Sequence, residues 1–239
     1  MRLDDLQIGG LSIFQYEDEF CFGTDAVLLS HFADIKKNDK VIDLGCGNGI
    51  IPILLSHKTK ARHITGLEII EKTAKLARKN VRHNNLEDKI SIVTGDLKNI
   101  DLYFKPGEFD CVVTNPPYKK AGSGIISENE TIAAARHEIL CDIYDIAAAA
   151  AYLLPLRGKI YMIHRPERLC DIILAFKKEK IEVKILQFVC PKPSEPPSMV
   201  LVCGAKGEKP NLKVLENIYV YNADGNYSDT INEIYRRKN

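Results

Sequence analysis

Lys40-Val41-Ile42-Asp43-Leu44-Gly45-Cys46-Gly47-Asn48-Gly49 decides how this chain folds. Val41 to Leu44 is a short apolar run that reads as a buried strand, and Ile50 to Ser56 reads as a helix entered through the glycines. Glycines at such a turn let the backbone reverse sharply and approach a ligand with no Cβ in the way. The spacing departs from the dinucleotide fingerprint, because Gly45, Gly47 and Gly49 are two apart and an acid, Asp43, precedes them. A glycine cluster alone also occurs as plain turn chemistry, so its meaning depends on the residues downstream of it.

Downstream, strand and helix alternate. His63 to Leu67 reads as a second strand ending at Glu68, Ile90 to Val93 as a third ending near Asp96, and Phe109 to Val113 as a fourth. Ile70 to Asn84 reads as a helix with basic outward positions, and Ile139 to Leu154 as a long Ala-rich helix. Lys159 to His164 is the fifth strand, and Pro166 to Lys178 a helix with proline early, where its missing N–H costs nothing. Repeated βα units imply a parallel sheet with helices on both faces. Val183 to Val189 and Met199 to Cys203 are two more strands. Their connector, 190–197, is too short and proline-rich for a crossover helix, so this pair is expected antiparallel.

Residues 1–35 read as a lead-in, with Ile8 to Phe14 and Phe20 to Phe22 forming a hairpin that turns at Glu17-Asp18-Glu19. An amphipathic helix from Ala26 follows, with Thr24 or Asp25 as its cap. Residues 36–239 make the main domain and end in a polar tail with a short helix, Ser228 to Arg237.

The formal net charge is +1, but residues 152–239 carry net +5 and residues 1–151 net −4. A basic C-terminal part suits a phosphate-bearing partner or is simply a solvated surface. Seven cysteines without a CxxC pair argue for reduced thiols in a cytoplasmic protein, with neither a disulfide framework nor a metal site. The longest apolar stretch, Ile143 to Leu156, contains Asp145 and stops at Pro155, so it is expected as a core helix and no membrane partner is expected.

The fourth strand ends in Asn115-Pro116-Pro117-Tyr118. Two prolines cannot continue a central strand, since neither offers an N–H to the ladder. An amide and an aromatic ring are thereby carried into the crevice beyond the strand's carboxyl end, where open α/β sheets bind ligands. An amide oxygen and a stacking face suit chemistry on a planar amine or amide nitrogen.

The pattern of Asp43, Gly45, Gly47 and Gly49, followed by Glu68, Asp96 and Asn115-Pro116-Pro117-Tyr118 at successive strand ends, resembles the class I S-adenosylmethionine-dependent methyltransferases. The implied class is α/β: a seven-stranded, doubly wound, Rossmann-like methyltransferase sheet with a terminal antiparallel hairpin. The resemblance implies S-adenosylmethionine as cofactor. Gly45, Gly47 and Gly49 would pass under its methionine part, Glu68 would bind ribose, and Asp96 with Leu97 would meet adenine. Asp43 would order the loop or the donor's amino group. Phe22-Gly23-Thr24-Asp25 resembles the segment over the methionine end, which adds Thr24 and Asp25 to the cofactor set, and Asn115 borders it. By the same resemblance Asn115 and the Pro116 carbonyl accept N–H bonds from the target nitrogen, Pro117 stiffens the loop, and Tyr118 stacks on a planar base.

Asn-Pro-Pro-Tyr is shared by enzymes that methylate adenine, guanine N2 and protein glutamine. About forty residues precede the glycine loop, too few for the helical domain of release-factor glutamine enzymes, and no separate DNA-recognition domain fits. Together with Ala135-Arg136-His137-Glu138, the connector prolines and lysine, and Gly225-Asn226-Tyr227-Ser228, these features resemble the bacterial tRNA1(Val) adenine-N6 methyltransferase family nearly end to end. That resemblance implies a tRNA substrate, contacted by Tyr118, Lys119, Lys120, Arg136, His137 and Lys192, and an enzyme acting as monomer or weak dimer. Arg136-His137-Glu138 also reads as a salt-bridge cluster at a helix start. Glutamine methylation of release factors and guanine-N2 methylation of rRNA stay open as alternatives.

Overall fold

A computed structural model describes residues 1–16, 23–117 and 141–235. Tyr118, Lys119, Lys120, Arg136, His137, the Phe20 to Phe22 strand and its turn at 17–19 lie outside the described residues. The sheet is centred on β3 (Lys40–Leu44), which pairs in parallel with β4 (His63–Glu68) on one side and β6 (Cys111–Thr114) on the other. β5 (Ile90–Thr94) continues the first side, and β7 (Lys159–His164) continues the second. The chain therefore winds outward from β3 to β5, returns to the middle, and winds the other way. The place where it reverses, between β3 and β6, is where open α/β sheets form their ligand crevice.

β8 (Ile181–Cys190) and β9 (Met199–Lys206) form the expected antiparallel hairpin, with β9 inserted between β7 and β8. The polar tail is less loose than its composition suggests. Lys213–Val214 (β10) and Ile218–Tyr219 (β11) each pair in parallel with β8, adding two short strands to the seven expected. They blunt an edge that would otherwise expose unpaired backbone. A short helix (α6, Asp229–Ile234) capped by the Ser228 hydroxyl buries Ile231 and Ile234 on the same side of the sheet.

Helices α1 (Thr24–Phe32), α2 (Ile50–Lys58) and α3 (Glu71–His83) cover one face, while α4 (Ile143–Leu153) and α5 (Leu169–Lys178) cover the other. α4 starts later than its alanine pattern suggests. Asp142 accepts from the Asp145 N–H and Asp145 from the Asp142 N–H, a reciprocal box that satisfies two orphan donors and sets the boundary. Asp145, a polar break in an apolar run by sequence, is thus part of the helix start. Pro166 lies in a short 3-10 turn leading into α5, as its position predicts.

Within the described residues the lead-in forms a hairpin of its own, upstream of the expected turn at 17–19. β1 (Arg2–Asp5) pairs with β2 (Ser12–Gln15), so the turn falls at Leu6 to Leu11, where Gly9 and Gly10 adopt positive φ. Ile8, expected inside a strand, lies in that turn, and its side chain is buried with Leu6 and Ile13 in the same core cluster as α2. Two glycines able to reverse the chain outweigh the apolar pattern. Among the described residues no helix is long and apolar enough to cross a membrane.

Candidate active site

Four strand ends line the crevice in the order β6, β3, β4, β5, and they carry Asn115, Asp43 with the glycine loop, Glu68 and Asp96. Neighbouring strands lie about 4.8 Å apart, so the row runs roughly 14 Å. Groups at its two ends must hold different parts of any one ligand.

The glycine loop is pinned from below. Gly45 and Cys46 donate to the Leu67 carbonyl at 2.9 and 3.0 Å, and Gly49 donates to the Cys46 carbonyl at 2.9 Å. Its three glycines do different things. Gly45 and Gly47 have φ of 76° and 54°, and a Cβ on either would point into open space. Gly49 has φ of 85°, and its Cβ would meet Ala77 of α3 at 3.3 Å. The first two leave a bare backbone cradle facing the crevice, while the third lets the chain entering α2 pass close to Ala77 of α3. Gly66 within β4 is a fourth requirement, one absent from the sequence expectations: a Cβ there would lie 2.7 Å from Cys46 Sγ and 2.8 Å from Ile92 Cδ1. A glycine inside a strand is the signal for such a close approach.

Glu68 is buried and does more than end a strand. Its Oε2 accepts from the Gly47 N–H and its Oε1 from the Ile70 N–H, both at 2.9 Å. A carboxylate has about four acceptor positions, so a ribose hydroxyl can still bond there. Asp43 is 0 % exposed, and among the described residues neither carboxylate oxygen has a hydrogen-bond partner. Burial, and then the charge of Glu68, push its carboxyl well above the usual range. An unpaired buried carboxyl is costly unless a cation or donor is delivered to it. At the far end of the row, the Asp96 side chain accepts from the Lys98 N–H at 2.9 Å and starts a 3-10 turn, with Leu97 half-buried beside it.

On the other side of the switch point, the Thr114 hydroxyl donates to the Leu44 carbonyl at 2.9 Å, tying the end of β6 to the end of β3. Asn115 is half-buried and Pro116 buried. The Asn115 amide Nδ2 donates to Asp25 Oδ2 at 2.9 Å, and Asp25 Oδ1 accepts from the Ala26 N–H at the same distance. The sequence suggests Asp25 as a helix cap or a cofactor contact. Gly23 holds the cap position of α1 instead, among the described residues no side chain caps it, and the buried Asp25 carboxylate is turned to Asn115. Thr24 is the first residue of α1 and lies at the same end of the sheet.

The lead-in reaches this site through α3. Asn80, fully buried, donates to the carbonyls of Phe14 and Asn48 at 3.0 and 2.9 Å and accepts from the Phe14 N–H at 2.8 Å. Asn48 in turn donates to Gln15 Oε1 at 3.3 Å. Hairpin, helix and glycine loop thus share one polar network. Lys192 lies at the same end of the sheet, in the β8–β9 connector, which Arg165 anchors through the Ser198 carbonyl at 3.2 Å. Among the described residues the six cysteines are free thiols, four of them buried.

A doubly wound sheet with a glycine cradle, two acids and an Asn-Pro-Pro turn along one row of strand ends defines a Rossmann-like methyltransferase. The family model described as "Methyltransferase small domain" matches residues 13–165, and the chain belongs to that family. It is 26% identical over 220 residues to the tRNA1(Val) (adenine(37)-N6)-methyltransferase of Haemophilus influenzae, covering 89% of this chain and 88% of that one. The enzyme of the same name from Aeromonas hydrophila subsp. hydrophila is 26% identical over 209 residues, with 87% and 85% covered. Among solved structures, one described as a predicted O-methyltransferase from Agrobacterium tumefaciens superposes with a TM-score of 0.73 at 18% identity, over 89% of this chain and 95% of that one.

Proposed function

We propose that this enzyme methylates the N6 amine of an adenosine in tRNA, with S-adenosylmethionine as donor. The observation that carries the reading is the position of Asn115-Pro116-Pro117 across the switch point from the Gly45–Gly47 cradle, on a chain that matches the named relatives over most of its length. When bound, S-adenosylmethionine supplies an electrophilic methyl on a sulfonium. The residues present suit it: Gly45 and Gly47 leave room for its methionine part, Asp43 offers an unpaired carboxyl to its cationic end, Glu68 accepts from ribose, and Asp96 with Leu97 flank the base end.

Adenine N6 is a weak nucleophile, because its lone pair is delocalised into the ring. Asn115 Oδ1 and the Pro116 carbonyl each accept one N–H from the amine. This aims the lone pair and favours a pyramidal nitrogen, which is positioning and electrostatic preorganisation. With the donor bound, its methyl would pass to that lone pair and its S–C electron pair would stay with sulfur, while Asn115 and Pro116 hold the nitrogen in line. The resulting cation gives its extra proton to water, so no strong base is needed. Tyr118 provides the stacking face, and Lys119, Lys120, Arg136, His137 and Lys192 supply substrate contacts. The relatives' name implies position 37, beside the anticodon of a valine tRNA. Such a substrate puts the enzyme in the cytoplasm.

The test is labelled methyl transfer to tRNA from cells that lack the protein, followed by mapping of the labelled nucleotide. Wild type labels an adenosine and Asn115→Ala loses at least about 100-fold in rate, the scale of one lost oxyanion-type contact. Equal labelling by the variant, or label in a release factor and none in tRNA, overturns the assignment.

A further inference from the structure

Resting on that reading, we infer that Asp25 is a positioning residue that sets which end of the Asn115 amide meets the target nitrogen. An asparagine amide can turn over about its Cβ–Cγ bond, exchanging an acceptor oxygen for a donor NH₂ of nearly the same shape. Only one orientation is useful here. The target amine is itself a donor, so an NH₂ turned toward it would repel it, while Oδ1 accepts from it. A hydroxyl or a second amide beside Asn115 would tolerate both orientations. A carboxylate accepts only, so Nδ2 must face Asp25 and Oδ1 must face away.

The carboxylate is itself held. Asp25 is 6 % exposed, with Oδ2 on Asn115 Nδ2 and Oδ1 on the Ala26 N–H, both at 2.9 Å. It sits in the first turn of α1, where the helix dipole favours a negative charge. Gly23 contributes by lacking a side chain, since a Cβ there would come within 3.0 Å of Asp25 Oδ1. The bond to a carboxylate also polarises the amide, leaving more negative charge on Oδ1 as the amine nitrogen becomes cationic. Asn115 follows β6 and Asp25 lies on α1, ninety residues apart in the chain, so each end of the pair is set by a separate rigid element. On this inference Asp25 acts toward the acceptor, where its neighbours in sequence suggest a cofactor contact.

The experiment compares Asp25→Asn and Asp25→Ala in wild-type and Asn115→Ala backgrounds, by single-turnover methyl transfer to tRNA and by calorimetry with S-adenosylhomocysteine. Asp25→Asn lowers the transfer rate at least tenfold, shifts the dissociation constant for S-adenosylhomocysteine less than threefold, and adds no further loss once Asn115 is alanine. A loss of affinity as large as the loss of rate makes Asp25 a cofactor ligand and overturns the inference. So does the same rate penalty in the Asn115→Ala background, which a structural role would give. A readout free of any acceptor separates this from failure of the tRNA reading. The Asn115 side-chain ¹H–¹⁵N pair, assigned by its loss in Asn115→Ala, has one proton shifted downfield by the carboxylate, and Asp25→Ala abolishes the shift. A wild-type pair with no such shift overturns the inference whatever the substrate; a shifted pair in an enzyme that labels no tRNA keeps it and overturns the function.

Discussion

Asp43 shows how much a single position carries that its place in the sequence does not. As the acid before a glycine turn it is readable, and so is its nearness to a bound donor. Its isolation is not, because that depends on where Glu68 directs its carboxylate. Both Glu68 oxygens bond backbone N–H groups, and among the described residues neither Asp43 oxygen has a partner. The Asp43 carboxyl is raised, so its contribution to stability is complete below the ordinary carboxylate value of about 4 and is lost as pH rises through the raised folded value. Asp43→Asn keeps the shape and removes that loss. The ligand-free variant should therefore melt above wild type at neutral pH, by about 2–4 °C for each kcal/mol recovered, with the gap closing toward pH 4. Its affinity for S-adenosylmethionine should fall. Thermal scans across pH with calorimetry check both, and a variant that melts below wild type at pH 7 contradicts the account.

At the scale of elements, α3 is the surprise. Its sequence, Glu71 to His83, advertises lysines and arginines, and the basic outward face is indeed there. The informative residues are two asparagines four apart on the inward side, Asn80 within the helix and Asn84 just past its end. Asn80 pairs with both backbone groups of Phe14, and Asn84 accepts from the Ser12 N–H at 3.1 Å and donates to its carbonyl at 2.7 Å. Two side chains thus close the outer edge of β2 as another strand would. The spacing places both on one helix face, but only the docking of the hairpin shows what they bond. The turn between β1 and β2 arises for a related reason. The apolar run from Ile8 looks like strand, yet Ile8 is buried by tertiary packing from within the turn that Gly9 and Gly10 make. Asn80→Leu should cost on the order of 3 kcal/mol, since it strands several buried backbone groups. Urea unfolding measures it, and the donor affinity should drop as well, because Asn80 also holds the Asn48 carbonyl of the glycine loop.

For the whole molecule, the pH profile joins two strands of the central sheet. His164, at the end of β7, is 1 % exposed. Burial, and then the charges of Arg168 and Arg165, push its imidazole down to about 4. Its contribution is complete above the unfolded value of about 6.5 and disappears as pH falls through the folded value, on the order of 3 kcal/mol in all. Asp43 slopes the other way from the ordinary carboxylate value upward. His164→Gln should therefore remove the loss of stability toward acid and leave the rise toward acid that Asp43 produces. Denaturant midpoints at half-unit pH steps test this; an unchanged profile in the variant counts against it.

The order of strands and helices, the antiparallel ending, the glycine turn and the acids at the strand ends are all settled by local pattern. Burial periodicity and turn chemistry act over a few residues, so a sequence can display them. What Asp25 touches, which glycine makes room for a ligand and which for a helix, and how the tail closes the edge of β8 are decided only by the tertiary structure. Each depends on groups far apart in the chain whose distance and orientation are products of packing. Asp25 and Asn115 stand side by side because α1 and β6 dock on the same crevice, and no spacing along the chain encodes that hydrogen bond.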